Sequence, residues 1–349
     1  MQHTDQAVAQ PQHQQPSEGN RLSVVIPMYQ ESDNVEPMLV AVHQALKDYP
    51  GPWELICVDD GSRDGTYQRL REKGAPYGSH VRLIRMRRNF GQTAAMQAGI
   101  DAARGDYIAT LDGDLQNDPA DIPRLVRELQ ERDLDLLQGW RKHRHDDPVR
   151  KFFSRVANRL IAKVTGVNLH DYGCSLKVYR AEVIKQVRLF GEMHRFIPVW
   201  VAGVTSPARI GESVVHHKAR QFGQSKYGLS RTFRVIVDLL AVFFFLRFRA
   251  RPGHFFGIIG LIFGALGGLV LGYLLFLKVF LGESIGGRPL LFTGVLLAVM
   301  AIQFLTTGVL AELLSRTFFE SAEHSGYSIL SADDDAAAAW SQGGGATPA

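Results

Sequence analysis

Residues 89–119 read NFGQTAAMQAGIDAARGDYIATLDGDLQNDP. This stretch predicts a helix over 92–103 and then a short apolar strand, YIATLD, at 107–112. A further helix is predicted from 119 to 131. Three oxygen-bearing side chains stand at alternate positions where the strand ends, namely Asp112, Asp114 and Gln116. The stretch therefore predicts a helix–strand–helix unit with a polar turn at the end of its strand.

The same alternation continues on both sides of this unit. Apolar runs typical of buried strands are LSVVIPMY at 22–29, WELICVDD at 53–60, VRLIRM at 81–86 and LDLLQG at 134–139. Helical patterns of about a dozen residues separate them. Strands that alternate with helices indicate βαβ units, so we expect an α/β fold with a mostly parallel sheet. Ligands of such sheets bind beyond the carboxyl ends of the strands, where both acidic pairs, Asp59–Asp60 and Asp112–Asp114, would lie.

The carboxylates of Asp112 and Asp114 are predicted to bind a divalent cation. Two carboxylates two residues apart at a strand end can present oxygens to one hard ion, and Gln116 could add an amide oxygen. Mg²⁺ or Mn²⁺ suits such ligands and takes the phosphates of a substrate as further ligands. The alternative is a solvated acidic turn ahead of the next helix, with Asp118 as the cap of that helix.

The ends of the first two strands are candidates for contacts with a base or a ribose. Asp60 can accept hydrogen bonds there, as acidic residues after a second strand do in dinucleotide folds. The segment Pro27-Met-Tyr29-Gln-Glu31 offers an aromatic face at the end of the first strand. No G-x-G-x-x-G motif follows that strand, which disfavours a dinucleotide site. A plain polar turn at the second strand's end is the alternative.

Two apolar stretches near the C-terminus predict a membrane module. Residues 255–277 and 290–311 contain no charged side chain. At 1.5 Å per residue each reaches about 33 Å, slightly more than a hydrocarbon core of about 30 Å. Buried helices of a soluble protein are the alternative. The expected domains are a disordered tail at 1–20, an α/β domain at 21–228, a juxtamembrane amphipathic helix at 229–252, a two-helix transmembrane module at 253–316 and a disordered acidic tail at 317–349.

Charge is unevenly distributed along the chain. The formal net charge is +4, yet residues 1–20 and 321–349 contain acidic side chains and no Lys or Arg. The middle of the chain is therefore strongly basic. Arginines before the first apolar stretch, and Arg316 after the second, place both flanks and both termini in the cytoplasm. The two cysteines cannot form a disulfide framework.

A basic stretch at 141–163 is a candidate phosphate-binding surface. Arg150 and Ser154 are four residues apart and share a helix face, where they could bind one phosphate group. A solvated basic face, or attraction to anionic lipids, is the alternative. A nucleic-acid site is disfavoured because the arginines stand beside a membrane anchor and have no interleaved aromatic residues.

Several motifs together carry a resemblance to a known family. These are VVIPMYQE, VDDGSRDGT, the 89–119 stretch, GWR, DYGCSLKVYR and RQFGQSKYGLSR, in this order. They resemble the inverting glycosyltransferases of family 2, which have a GT-A fold, and within it the bacterial polyprenyl-phosphate branch related to dolichyl-phosphate mannosyltransferase. The resemblance covers about residues 21–315 and includes the two membrane helices. It implies a multi-pass protein of the bacterial inner membrane.

The resemblance also implies roles for individual residues. The nucleoside of a UDP- or GDP-sugar would contact Pro27, Tyr29, Glu31, Asp60 and Asp112. The metal, Mg²⁺ or Mn²⁺, would bind Asp112, Asp114 and Gln116. The phosphate of a polyprenyl acceptor, undecaprenyl phosphate foremost, would bind Arg141, Arg150 and Ser154. A loop containing Arg220, Ser225 and Lys226 would close over the phosphates. The catalytic residues would be Asp114, Arg141 and Asp171, with Asp171 a contact to the sugar or a catalytic carboxylate.

Four questions stay open at the level of sequence: whether the protein is an enzyme, which acceptor it uses, whether it forms oligomers and which sugar it transfers. An inert membrane-anchored module that senses nucleotide sugars is one alternative to an enzyme, and a protein or glycan acceptor is another. The Q-x-x-R-W motif of processive polysaccharide synthases is absent, which favours one transfer per acceptor and a product for envelope glycan or lipid A modification. A homo-oligomer formed through the membrane helices is compatible with the resemblance. No motif identifies the sugar.

Overall fold

The computed structural model describes residues 20–142, 162, 166–189, 191, 193–218, 252–320 and 327–332. The chain divides into two compact units. The first consists of residues up to Lys226 together with those from Gly326 onward, and the second runs from Tyr227 to Ser325. The predicted juxtamembrane helix and most of both predicted tails lie outside the described residues, so those boundaries stay predictions.

The first unit contains one sheet with helices packed on it. Its described strands are β1 (Leu22–Met28), β2 (Trp53–Asp59), β3 (Val81–Met86), β4 (Tyr107–Thr110), β5 (Leu136–Trp140), β6 (Lys177–Arg180), β7 (Ile210–Val214) and β8 (Ile329–Ala332). Its described α-helices are α1 (Val35–Leu46), α2 (Thr66–Gly74), α3 (Gln92–Ala102), α4 (Ile122–Glu131), α5 (Ala181–Ile184) and α6 (Ile197–Val201). The predicted alternation of strands and helices over 22–140 is confirmed.

Strand order in the sheet is β7-β5-β6-β4-β1-β2-β3-β8. Strands β3, β2, β1 and β4 are mutually parallel, and so are β5 and β7. Strand β6 is antiparallel to both β4 and β5, between which it lies. The sheet is therefore mostly parallel, as the fold class predicted, with an antiparallel strand inserted beside β4.

The centre of the sheet is buried on both faces because helices cover it. All seven residues of β1 are buried. Helix α3 approaches β1 so closely that a Cβ atom on Gly99 would lie 2.3 Å from a methyl carbon of Val25. Since such a contact is impossible without displacement, glycine at 99 is what lets α3 pack against the parallel strands.

The C-terminal region differs from the expectation of a disordered tail over 317–349. The second membrane helix continues to Glu320, and Ile329–Ala332 forms β8, which pairs antiparallel with β3 at the sheet edge. The expectation is therefore wrong for residues 317–320, which are helical, and for the four residues of β8. A strand this short has little apolar signal of its own, and it forms by hydrogen bonding to an edge supplied by residues far away in sequence.

The second unit is a pair of long helices, α7 (Pro252–Phe280) and α8 (Pro289–Glu320). Segments Gly253–Phe280 and Pro289–Leu314 have mean hydropathies of 2.3 and 2.1, and each is long enough to cross a membrane. Small residues let the helices meet, since a Cβ atom on Gly260 would lie 3.0 Å from the carbonyl oxygen of Ala301. Large apolar side chains face outward, Phe292 being 73% exposed. Such a surface suits lipid rather than water.

Candidate functional site

The carboxyl ends of β1, β2 and β4 lie at one edge of the sheet. Met28 is opposite Asp59 across the β1–β2 pair, and Val25 is opposite Thr110 across the β1–β4 pair. The turns that follow these strands therefore begin side by side. The predicted nucleoside residues and the predicted metal residues are brought to the same edge, as expected for a parallel sheet.

The turn after β4 contains the acidic pair. Asp114 is 6% exposed, and one of its oxygens accepts a hydrogen bond from the backbone N–H of Gln116 at 3.1 Å. Leu115 between them has φ +58°. Positive φ is costly for a branched side chain and clusters at functional sites. This backbone reversal sets the positions of Asp114 and Gln116 on either side of Leu115.

Asp112 is held in a poorly solvated position beside a second carboxylate. Its Oδ1 accepts a hydrogen bond from the side-chain amide of Gln92 at 2.7 Å. Burial, and next the negative charge of Asp114, raise the pKa of Asp112 to about 6. A cation between the two carboxylates would remove the repulsion that contributes to this shift.

The residues of this turn fit a hard divalent cation. Asp112 and Asp114 have carboxylates close enough for their charges to interact, and Gln116 has an amide oxygen in the same turn. Over the described residues, no group of three or more His, Cys, Asp or Glu side chains could hold a metal by itself. A metal ion here would take its remaining ligands from water and from a substrate, and diphosphate oxygens suit it.

The predicted nucleoside residues lie on turns that are joined by hydrogen bonds. The backbone N–H of Glu31 donates to Thr66 Oγ1 at 3.0 Å, and the Glu31 carboxylate accepts from the amide of Asn34. Tyr29 is half-buried at the end of β1, and Pro27 is buried within that strand. The turns after β1 and β2 thus form one connected wall at the sheet edge.

Asp60 connects this wall to the turn after β3. Its two oxygens accept hydrogen bonds from the backbone N–H groups of Phe90 and Gly91, at 2.7 and 2.9 Å. Burial raises the pKa of Asp60 above its ordinary value, although these two donors counteract the rise. In this structure Asp60 therefore fixes the loop between β3 and α3 at the site.

Arg141 and Asp171 form a two-pronged ion pair. The Nε and Nη2 atoms of Arg141 donate to the Asp171 carboxylate at 2.7 and 3.0 Å. The side chains are only 11% and 15% exposed. Burial opposes the charge of Arg141, but the bonds to Asp171 raise its pKa above the ordinary value. Arg141 is thus a fixed cation, and it lies close enough to Asp112 for their charges to interact.

Several residues at the site were missed from the sequence. Ser175 accepts a hydrogen bond from the side chain of Asn117 at 2.7 Å and also contacts Asp112. Lys177 is 2% exposed, and its ammonium donates to the carbonyl oxygen of Cys174. Burial lowers the pKa of Lys177 to about 8. Of these residues, Gln92 at the start of α3 could have been predicted. It follows β3, so it lies at the same edge of the sheet as the carboxyl ends of the other parallel strands.

The segment after β7 is hydrogen-bonded to the acidic turn that follows β4. The backbone N–H of Lys218 donates to the carbonyl oxygen of Gln116 at 2.8 Å, and its ammonium lies 2.7 Å from Asp118. The backbone N–H of His216 donates to Asp121 at 2.7 Å. Residues 216–218 are therefore held next to the predicted metal turn. The other predicted phosphate-binding residues, Arg150, Ser154, Arg220, Ser225 and Lys226, lie outside the described residues.

Comparison with known proteins identifies the family. The family model for glycosyl transferase family 2 matches residues 23–188. A dodecaprenyl-phosphate galacturonate synthase of Rhizobium johnstonii is 56% identical over 321 residues, which cover 92% of this chain and 95% of that protein. The chain belongs to glycosyltransferase family 2. Its matches place this glycosyltransferase in the polyprenyl-phosphate branch, as the motifs predicted.

Other relatives of this glycosyltransferase transfer a different sugar. An undecaprenyl-phosphate 4-deoxy-4-formamido-L-arabinose transferase of Pseudomonas fluorescens is 36% identical over 301 residues, covering 85% of each chain. Among solved structures, glucosyl-3-phosphoglycerate synthase from Mycobacterium tuberculosis, in complex with Mn²⁺, UDP-glucose and phosphoglyceric acid, superposes with a TM-score of 0.50. It is 18% identical, and the match covers 64% of this chain and 78% of that one. At this identity the likeness supports the GT-A fold, which the sequence predicted.

Proposed function

We propose that this glycosyltransferase transfers one sugar from a nucleoside-diphosphate donor to a polyprenyl phosphate, with inversion at the anomeric carbon. The observation that carries the proposal is the close approach of a fixed cation, Arg141, to the acidic turn at Asp112 and Asp114. The carboxylates would hold the metal that binds the donor diphosphate, and the arginine would bind the anionic acceptor. Such a reaction needs negative and positive side chains at the same edge of the sheet.

The proposed reaction makes one bond and breaks one. An oxygen of the acceptor phosphate forms a bond to the anomeric carbon, and the bond from that carbon to the donor's diphosphate oxygen breaks. The electron pair of the broken bond leaves with the nucleoside diphosphate. A phosphate monoester is already ionised near neutral pH, so the site needs no strong base and acts mainly by holding the two reactants in line.

Each part of the edge has a proposed role in that alignment. Asp112, Asp114 and Gln116 would hold Mg²⁺ or Mn²⁺, which when bound supplies positive charge to the diphosphate. Tyr29, Glu31 and Asp60, with Pro27 behind them, would line the nucleoside pocket. Asp171 would orient Arg141, because its carboxylate accepts two hydrogen bonds from that guanidinium, and its contact to the sugar stays a prediction.

The acceptor phosphate would be bound from two further segments. Arg141 begins the basic stretch that includes Arg150 and Ser154. Arg220 follows Lys218 by two residues, at most about 7 Å of chain. Since Lys218 is bonded to Gln116, this short distance favours Arg220 as a phosphate contact. Ser225 and Lys226 would belong to the same loop, which would close over the phosphates.

The donor sugar and the location are proposed from the relatives. The 56% identity to a dodecaprenyl-phosphate galacturonate synthase makes UDP-galacturonic acid the first donor to test. Undecaprenyl phosphate is the first acceptor, in view of the formamido-arabinose transferases. The apolar helices α7 and α8 would anchor the protein in a bacterial inner membrane, with the product serving envelope glycan or lipid A modification.

The test is transfer of labelled sugar by the purified full chain in detergent. We expect label in undecaprenyl phosphate from UDP-galacturonic acid with Mg²⁺ or Mn²⁺, and loss of transfer when EDTA removes the metal. Asp114→Asn should lower kcat/KM at least about 100-fold. Asp48→Asn, an exposed carboxylate at the end of α1, is the matched control and should be unchanged. Absence of lipid-linked label with every UDP- and GDP-sugar tried would refute the proposal.

A further inference from the structure

We propose that the C-terminal strand β8 is a positioning element of the nucleotide pocket. It would act by fixing the end of β3 and the loop that leads from β3 to α3. The kinetic part of this inference rests on the proposed function, whereas its structural part does not. The strand belongs to the sheet unit even though it follows the two apolar helices in sequence.

The backbone of β8 covers the outer edge of β3 up to its last residue. Ala332 pairs with Ile84, Ser331 with Arg85, and Ile329 with Met86. The pairing continues one residue past β3, because the backbone N–H of Arg87 donates to the carbonyl oxygen of Ser328 at 3.1 Å. Strand β8 thus satisfies backbone groups at the very point where β3 enters the site loop.

Side chains fasten the ends of β8 to two helices. The hydroxyl of Tyr327 donates to Asp101, near the end of α3, at 2.9 Å. The hydroxyls of Ser331 and Tyr67, the latter on α2, are 3.3 Å apart. The guanidinium of Arg85 lies over the Tyr67 ring at 4.7 Å. The strand therefore connects α2, β3 and α3. The turn from β2 into α2 and the loop from β3 into α3 meet at Asp60.

The loop that β8 steadies is the one that holds Asp60. Only two residues separate Arg87 from Phe90, whose backbone N–H donates to Asp60 at 2.7 Å. The loop also touches the turn after β2 directly. A Cβ atom on Gly61, which has φ +67°, would lie 2.4 Å from the backbone of Arg88. A shift of residues 87–91 would consequently move the Asp60 carboxylate or break its bonds.

Removal of β8 should loosen this region without unfolding the sheet. Its four residues are exposed, so they contribute little to the core. An uncovered edge strand frays at its ends, where local opening costs least. The pocket would then be able to bind the nucleotide only part of the time. The apparent Kd rises in inverse proportion to the binding-competent fraction, and the rate of the chemical step is unchanged.

The test compares two truncations of the full chain. One ends at residue 326 and lacks β8, and the control ends at residue 332 and keeps it. We expect the shorter chain to show a KM for the nucleotide sugar raised about fivefold with kcat within twofold of the full chain. Backbone amides at 87–91 should exchange with solvent about tenfold faster, measured without any ligand. The control should match the full chain in both.

A point substitution in the full-length chain separates the effect of disrupting β8 from the effect of shortening the chain. Ile329→Pro removes a backbone N–H and restricts φ at a position of β8 that pairs with Met86, and should reproduce the shorter chain. Ile329→Ala, at the same exposed position, should not. The inference would be overturned if amide exchange at 87–91 were unchanged in both the shorter chain and the proline variant. It would also be overturned if exchange became faster while the affinity for UDP, measured by calorimetry, stayed the same. Failure of the proposed function would instead appear as absence of transfer in the full chain.

Discussion

Arg141 and Asp171 are 30 residues apart in sequence and form a two-pronged, largely buried ion pair at the site. A buried arginine that lost its carboxylate would keep its charge and be free to turn toward other anions, such as Asp112. The ion pair therefore has two effects. It neutralises the buried charge of the arginine, and it fixes the orientation of the guanidinium. For an acceptor phosphate, the second effect is the one that alters the rate.

Asp171→Asn tests that role. The amide keeps the size of the side chain but loses the charge and one acceptor oxygen. We expect kcat/KM for the polyprenyl phosphate to fall about tenfold, the equivalent of one charge-assisted hydrogen bond of about 1.4 kcal/mol. The KM for the nucleotide sugar should stay within about twofold.

Asp106→Asn is the control for this substitution. Asp106 is bonded to Arg21 at 3.1 Å, near the start of β4 and away from the carboxyl edge. It should leave both kinetic parameters near wild type. An Asp171→Asn protein that retained full acceptor kinetics, or lost affinity only for the nucleotide sugar, would contradict the positioning role.

Residues of the site were predictable where they follow a strand and not where they lie within one. Asp60, Asp112 and Asp114 follow apolar runs, so the position of each could be inferred from the runs alone. Lys177 is the opposite case, since it lies in β6 and is 2% exposed. A lysine normally indicates a solvated position, and its burial here depends on neighbours from other segments that no local pattern reveals.

At the scale of elements, an apolar run between two helical patterns decided what could be predicted. The strands β1 to β5 are regular apolar runs separated by helices, and their existence was predictable. Strand β6 is four residues long, reads KVYR and is inserted antiparallel beside β4. Strand β8 is equally short and fully exposed. Such strands are specified by the edge with which they pair, so the sequence predicts neither their existence nor their partner.

A histidine pair joins α1 to the start of β3 and predicts how stability varies with pH. The Nε2 atoms of His43 and His80 are 2.9 Å apart, and His43 also bonds the carbonyl oxygen of Leu39. Burial, and next the proximity of His43, lower the pKa of His80 to about 4. Burial likewise lowers the pKa of His43.

The sign follows from which state binds more protons. An unfolded histidine titrates near 6.5, so between about pH 6.5 and 4 the unfolded chain takes up protons that the folded chain does not. The stabilisation is complete above pH 6.5 and is lost as the pH falls toward 4. After a discount for half-exposure it amounts to about 1 kcal/mol, or about 2–4 °C in Tm.

The measurement is the Tm of the detergent-solubilised protein at pH 7.5 and pH 5, for the wild type and for His80→Gln. The wild type should lose about 2–4 °C more than the variant between these two pH values. From pH 7.5 to 8.5 the two should change in parallel. Equal losses in the acidic range would show that the pair does not govern this part of the pH dependence.

At the scale of the whole molecule, the order of the segments restricts how the chain can cross a membrane. The described residues up to Lys218 and the strand after α8 both belong to the sheet unit. A chain that leaves one side and returns to the same folded unit has crossed an even number of times. Two spans, α7 and α8, would satisfy this condition, and we then expect the loop between them on the opposite side of the membrane from the sheet.

Cysteine accessibility checks this arrangement, and the native cysteines do not interfere with it. Cys57 and Cys174 are buried, and burial raises their thiol pKa values to about 12 and about 11. Because the thiolate is the reactive form, both should resist a maleimide in the folded protein. Single new cysteines can therefore be introduced into the otherwise native chain.

The three positions are Ser284 in the loop between the helices, Ser79 in the sheet unit, and Ser331 in β8, all of them exposed. In intact cells whose outer membrane has been made permeable, a membrane-impermeant maleimide should label Ser284→Cys and not the other two. In lysed cells all three should be labelled, and the native chain should be labelled in neither preparation. Labelling of Ser331→Cys but not Ser79→Cys in intact cells would require an odd number of crossings. Such a result would separate β8 from the sheet in the membrane-bound protein and remove the basis for the two-span topology.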